Sequence, residues 1–265
     1  MKPVTLHTLR ELKQRGERFS CLTCYDATFA AAMARAEVEV ILIGDSLGMV
    51  VQGHSSTLPV TNQDIAYHTA AVARANKTAL IMADLPFMTY ASLPDALASS
   101  AELMRAGAHL VKLEGGAWLA DTITQLARGG IPACVHLGLT PQSVNVFGGY
   151  RVQGRGDQAA EQLLADARAV AEAGAALLLL ECVPSALARR VHEEIAVPVI
   201  GIGAGPDCDG QVLVLHDMLG VHGGKPARFV KDFLRAGDGS IEGAFRQFVT
   251  EVKDGRYPSP EHAFE

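Results

Sequence analysis

Short apolar runs recur along this chain with helical segments between them, and that alternation constrains the fold more than any other feature. The runs read as strands near Phe19–Cys24, Val38–Gly44, Ala79–Ala83, His109–Leu113, Ile131–Val135, Ala176–Leu180, Val197–Ile202 and Val212–Leu215. They are rich in Val, Ile and Leu, the composition of strands covered on both faces in a parallel sheet. The stretches between them predict helices over Gln63–Asn76, Leu93–Ala106, Trp118–Arg128, Gln158–Ala173 and Ser185–Glu194, after an N-terminal helix from about Thr5 to Arg15. Gly107, Gly130 and Gly174 follow three of these helices, as expected where a helix stops and the chain turns back to a strand.

Strand–helix alternation argues for parallel βαβ units, and eight such strands within 265 residues fit a TIM (β/α)8 barrel. A doubly wound open sheet is the alternative, but its glycine fingerprint belongs on the first βα turn, where this chain has Tyr25-Asp26-Ala27. The later run Gly201-Ile-Gly203-Ala-Gly205, followed by Pro206, reads as a tight loop at a barrel mouth. No Pro/Ser-rich linker divides residues 1–265, so one domain is expected. Two connections, Ser46–Asn62 and Leu139–Asp157, are longer than a bare link needs and so are candidates for function. Beyond Gly224, helices are predicted over Ala227–Ala236 and Ile241–Lys253, either capping the barrel or meeting another subunit.

The chain is 49% hydrophobic and 20% charged, ordinary values for a globular protein. A net charge of −6 and a pI near 5.8 leave no electrostatic case for nucleic acid or an anionic membrane as partner. No apolar run approaches the roughly 20 residues of a membrane span, and the N-terminus lacks the apolar core of a signal peptide. A cytoplasmic location is the resulting expectation. Cys21-Leu-Thr-Cys24 matches C-x-x-C formally, but it falls in a predicted strand, where residues three apart face opposite sides. Packing cysteines are the simpler reading.

Five ionisable residues sit where apolar runs stop: Asp45, Asp84, Glu114, His136 and Glu181. Carboxylates are costly to bury unless they hold a metal, a partner or a substrate, and a barrel gathers strand ends on one face. Oxygen donors favour a hard cation such as Mg2+, with Asp45 and Asp84 the best direct ligands and Glu114 binding directly or through water. The bland alternative for the two aspartates is separate helix caps. Glu181 follows four leucines, surroundings that raise a carboxyl pKa and suit a general base; otherwise it is half of an internal ion pair. Lys112 shares a strand face with Glu114, so it either pairs with it or offers a cation to a substrate oxygen. His136 is either a satisfied core histidine or a hydrogen-bond donor to substrate, and Ser46 is positioned to meet a carboxylate. His54 and Tyr25-Asp26 are weaker candidates. A metal, a base and a cation together suit proton abstraction beside the carbonyl of a 2-oxo acid, with the metal as Lewis acid on the developing enolate.

Several stretches resemble the ketopantoate hydroxymethyltransferase family: Ile43-Gly-Asp-Ser-Leu-Gly-Met, Gly53-His-Ser-Ser-Thr-Leu-Pro-Val-Thr, Ala83-Asp-Leu-Pro-Phe, Val111-Lys-Leu-Glu-Gly-Gly, His136-Leu-Gly-Leu-Thr-Pro-Gln, Gly148-Gly-Tyr-Arg-Val-Gln-Gly, Leu180-Glu-Cys-Val-Pro and Gly201-Ile-Gly-Ala-Gly. The resemblance implies a TIM barrel, bound Mg2+, and transfer of a hydroxymethyl group from 5,10-methylenetetrahydrofolate to 3-methyl-2-oxobutanoate, giving 2-dehydropantoate in pantothenate biosynthesis. It further implies Asp45, Asp84 and Glu114 at the metal, Asp45, Ser46, Asp84, Lys112 and His136 at the oxo acid, Glu181 as proton acceptor, and a homodecamer. Two other readings stay open: a Mg2+-dependent carbon–carbon lyase of the isocitrate lyase or phosphoenolpyruvate mutase type, which needs no folate, and a catalytically silent metabolite-binding barrel.

Overall fold

Period-two alternation within each strand decides which side chains reach the interior of a closed sheet and which meet the surrounding helices. A computed structural model describes residues 2–221 and 224–265. Its strands are β1 (Phe19–Thr23), β2 (Val40–Ile43), β3 (Leu80–Asp84), β4 (Leu110–Glu114), β5 (Ala133–Gly138), β6 (Leu177–Glu181), β7 (Val199–Ile202) and β8 (Gly210–Leu213). All neighbours pair in parallel and β8 returns to β1, closing the predicted TIM barrel.

The helices are α1 (Leu6–Arg15), α2 (Ala27–Arg35), α3 (Leu47–Val50), α4 (Asn62–Ala75), α5 (Leu93–Ala106), α6 (Ala120–Arg128), α7 (Val144–Phe147), α8 (Asp157–Glu172), α9 (Ser185–Glu194), α10 (Leu215–Met218), α11 (Phe233–Ala236) and α12 (Ile241–Lys253). Half of them begin at a side-chain cap: Thr5, Asp26, Thr61, Ser92, Asp232 and Ser240 each accept a first-turn N–H, worth about 1 kcal/mol apiece. Helix α1 covers the N-terminal end of the barrel: Leu9 is buried, and the Lys13 ammonium lies 2.9 Å from Asp209, just before β8. Between β7 and β8 the chain returns without a helix, through Gly203–Asp209. The last long helix, α12, packs against β1 and α2, with Phe245 edge-on to Phe29.

Most strand boundaries shift by one or two residues from the sequence reading, helix α2 is added to it, and three differences bear on the site. The predicted helix over Ala227–Ala236 forms only at Phe233–Ala236, because the Asp232 carboxylate caps it there and the Tyr257 hydroxyl holds the Phe229 carbonyl at 2.6 Å. Strand β8 starts earlier, at Gly210, and stops before Leu215, whose N–H is held by the Thr23 hydroxyl. Strand β5 runs on to Gly138, so His136 lies within the sheet. All five cysteines are buried and free, and burial pushes the Cys24 and Cys134 thiols up to about 12, which suits packing rather than chemistry.

Candidate active site

Sheet register brings the sequence-predicted side chains together in pairs. Asp84 at the end of β3 is opposite Lys112 on β4, and Glu114 two residues on is opposite His136 on β5. Glu181 at the end of β6 lies between Gly138 and Ile202. Asp45 and Ser46 follow β2 directly. All seven ionisable or hydroxyl-bearing candidates (Asp45, Ser46, Asp84, Lys112, Glu114, His136 and Glu181) line one cavity of about 480 Å3 at the C-terminal face. His54 is exposed in the loop after β2, and Asp26 caps α2, so neither lines it.

The Lys112 ammonium is 2.5 Å from Asp84 Oδ1 and 3.8 Å from Glu114, with its side chain 4% exposed. Burial works against its charge, but Asp84, Glu114 and Asp45 outweigh that and raise its pKa, so it stays protonated. Asp84 Oδ2 accepts the Asp45 backbone N–H at 2.9 Å. Burial, then the nearby Asp84 and Glu114 charges, push the Asp45 carboxyl well above its ordinary range. Burial raises Glu114 to about 7 and Glu181 to about 8, the Glu181 shift reinforced by the Glu114 charge. Within β6 the inward residues are Leu177, Leu179 and Glu181, so the carboxyl stands directly above an apolar floor. The His136 ring sits between two carboxylates, 3.4 Å from Glu114 and 3.4 Å from Glu181, yet neither nitrogen makes an aligned hydrogen bond. Burial holds it well below its ordinary pKa, so it is neutral.

Two residues that strand-end reasoning did not single out organise this cluster. Gln142, in the loop after β5, donates from Nε2 to Asp45 Oδ2 and to the Leu85 carbonyl, both at 2.9 Å. Its backbone N–H donates to Glu114 Oε2 at 3.0 Å, and its Oε1 accepts the Tyr90 hydroxyl at 2.6 Å. One residue therefore ties Asp45, which follows β2, to Glu114 on β4, the first through its side chain and the second through its backbone. Its position in the His136-to-Gln142 stretch is the only signal the sequence carried. Tyr25, a weak candidate at first, is buried with its hydroxyl 2.8 Å from Ser46 Oγ.

Among the described residues, no group of three His, Cys, Asp or Glu side chains is arranged as a ready-made metal cage. The donor chemistry nevertheless fits a hard cation. Four carboxyls (Asp45, Asp84, Glu114, Glu181) face a single ammonium in a buried cavity, and Glu114 Oε1 is buried without a hydrogen-bond partner. Unbalanced buried charge costs several kcal/mol. A Mg2+ that takes one or two protein carboxylates and completes its shell with water and substrate needs no three-residue cage.

The closed parallel sheet places the protein among the TIM barrels, a class whose active sites lie at the C-terminal ends of the strands. Solved barrels with the same architecture include phosphonopyruvate hydrolase in complex with oxalate and Mg++ (TM-score 0.63, 12% identity, covering 98% of this chain and 93% of that one). Phosphoenolpyruvate phosphomutase from Streptomyces platensis subsp. rosaceus is another (TM-score 0.59, 15% identity, 96% and 92%). The family model for ketopantoate hydroxymethyltransferase matches residues 3–260. A 3-methyl-2-oxobutanoate hydroxymethyltransferase from Psychrobacter arcticus is 63% identical over 263 residues, 98% of this chain and 99% of the relative. The chain belongs to the ketopantoate hydroxymethyltransferase family and is a transferase enzyme.

Proposed function

We propose that the protein transfers a hydroxymethyl group from 5,10-methylenetetrahydrofolate to 3-methyl-2-oxobutanoate, forming 2-dehydropantoate in the cytoplasm as a homodecamer. The observation that carries the reading is Glu181: a carboxyl only 15% exposed, its pKa raised to about 8, in one cavity with the buried Lys112 ammonium and the Asp45, Asp84 and Glu114 carboxyls. A base poised near the working pH is what removal of a proton beside a ketone requires.

Lys112 has three donors and spends one on Asp84, leaving donors for the carboxylate end of the oxo acid. Ser46, held by the Tyr25 hydroxyl, adds a hydrogen bond at the same end. His136 lies against the acid and separates Glu114 from the base. Asp45 and Asp84 would hold Mg2+, with Glu114 reaching it directly or through water. When bound, the ion would draw electron density from the ketone oxygen and make the C3 proton more acidic. Positive charge there would also offset the push of Glu114, Asp45 and Asp84 on Glu181 and so lower its pKa toward neutrality.

Glu181 then takes the proton from C3 onto a carboxylate oxygen. C3 forms a bond to the methylene carbon of the folate, the two carbon–nitrogen bonds break, water supplies the hydroxyl, and the proton taken from C3 and the remaining water proton end on the two folate nitrogens. The methylene carbon exchanges one heteroatom bond for a bond to C3 while C3 loses a hydrogen, so the changes cancel and no external redox partner is needed. The test is product formation from the oxo acid and 5,10-methylenetetrahydrofolate, with and without a chelator. Turnover that depends on both folate and metal is the expected result. Cleavage of a 2-oxo acid without folate would instead favour a lyase, the chemistry named for the 2,3-dimethylmalate lyase that shares the barrel.

A further inference from the structure

The cavity has two unlike halves. Asp45, Asp84, Lys112, Glu114, His136 and Glu181 stand on β3 to β6 and after β2, whereas β7, the turn after β8 and the C-terminal segment contribute Ile202, Val214, Phe229 and Phe264, with Asp217 and Arg228 the charged residues on that side. At about 480 Å3 it lies in the range that holds drug-sized ligands, far more than a branched five-carbon acid fills. Glu181 pairs in register with Ile202, so the apolar half begins beside the base.

That half is built, not left over. The Phe264 carbonyl accepts two hydrogen bonds from Ser185, from its N–H at 2.9 Å and its hydroxyl at 3.0 Å. Gly203 makes the space: its φ is +59°, and a Cβ there would lie 2.8 Å from the Phe229 ring and 3.0 Å from the Phe264 ring. Arg228 stands over Phe264, its guanidinium carbon 5.6 Å from the ring centre, with Nε donating to the Glu261 carbonyl at 3.0 Å. Two aromatic rings and a rim cation, next to a base, form a receptor for a flat ring system with an anionic tail.

We propose that this apolar half, walled by Phe229 and Phe264 and rimmed by Arg228, is the subsite for the one-carbon donor. The pterin ring packs against the two phenyl rings with its methylene carbon toward Glu181, and the glutamate tail runs out past Arg228. The C-terminal segment from Pro260 to Phe264 is then a wall of the reaction chamber. The proposal rests on the folate reading above.

The experiment measures tetrahydrofolate affinity by calorimetry and, separately, solvent exchange of the C3 proton of 3-methyl-2-oxobutanoate without any donor. In Phe264→Ala, tetrahydrofolate affinity is expected to fall about tenfold or more, the loss of roughly one aromatic contact, and by a much larger factor than C3 exchange. Phe264→Leu, which keeps the burial but not the ring, falls by an intermediate factor and guards against a folding artefact. Arg228→Gln weakens tetrahydrofolate more than it weakens a tail-less pterin. Unchanged affinity in Phe264→Leu and Arg228→Gln overturns the proposal, and so does an exchange rate that falls in parallel with affinity. A wild-type enzyme that binds tetrahydrofolate without exchanging the C3 proton leaves the subsite standing and sinks the assignment of Glu181. One that exchanges the proton but binds no tetrahydrofolate sinks the folate reading and the subsite together.

Discussion

At the scale of single residues, the cavity is governed by how its carboxyls are held. Gln142 holds Asp45 through its side-chain amide, which also accepts the Tyr90 hydroxyl, and holds Glu114 through its backbone N–H. Second partners of this kind set metal affinity as firmly as the ligands, typically by 10–100-fold. Gln142→Ala is therefore expected to weaken Mn2+ binding by about that factor with little change in melting temperature; unchanged Mn2+ titration would remove Gln142 from this role. Glu181 gives a second prediction, for metal-free protein in chelator. Its pKa rises from an ordinary 4.5 in the unfolded chain to about 8 when folded, so the native state binds the extra proton between those values. The stability it contributes is present below about 4.5 and is lost as pH climbs through about 8. Glu181→Gln cannot lose that proton. Its melting temperature should gain on the wild type between pH 5 and pH 8.5 in thermal scans, and parallel curves would contradict the shift.

At the scale of elements, the strand ends do the positioning, and close packing between them leaves little slack. Gly138 ends β5 with φ +89°, and a Cβ there would sit 2.3 Å from the Glu181 carbonyl oxygen. Gly148 has φ +66° and nothing within 4 Å. Gly138→Ala should then cost about 2 kcal/mol or more, a left-handed penalty plus overpacking, whereas Gly148→Ala should cost only about 1–2 kcal/mol. Chemical denaturation of the two variants checks the difference, and equal losses would mean that β6 yields to the added methyl.

Much at this scale was legible in the sequence. Period-two spacing alone put Lys112 and Glu114 on one face, and apolar runs ending on Asp84, Glu114 and Glu181 marked strand ends, where all three residues lie. The illegible parts depend on contacts between distant segments. Nothing local announces that Gln142 reaches Asp45 or that Tyr25 reaches Ser46. The stretch before α11 looked helical, but Tyr257 holds the Phe229 carbonyl and keeps that phenyl ring at the cavity. In sequence, a polar residue closing an apolar run marks a strand end, but His136 sits inside β5, between two carboxylates.

At the scale of the whole molecule, one closed sheet gathers residues from the full length of the chain, from Thr23 to Phe264, around a single cavity. Core residues from Val4 to Tyr257 form one continuous cluster, so helices at both ends support the same barrel. This convergence is proposed to make Glu181 the base that removes the proton beside the ketone. Proton NMR of 3-methyl-2-oxobutanoate in D2O, with enzyme and Mg2+ and no folate, tests it most directly. Wild-type protein is predicted to exchange the C3 proton, and Glu181→Gln to lose that exchange by about 100-fold or more, the scale of general-base catalysis, while still binding the oxo acid. Exchange at the wild-type rate in Glu181→Gln would contradict it.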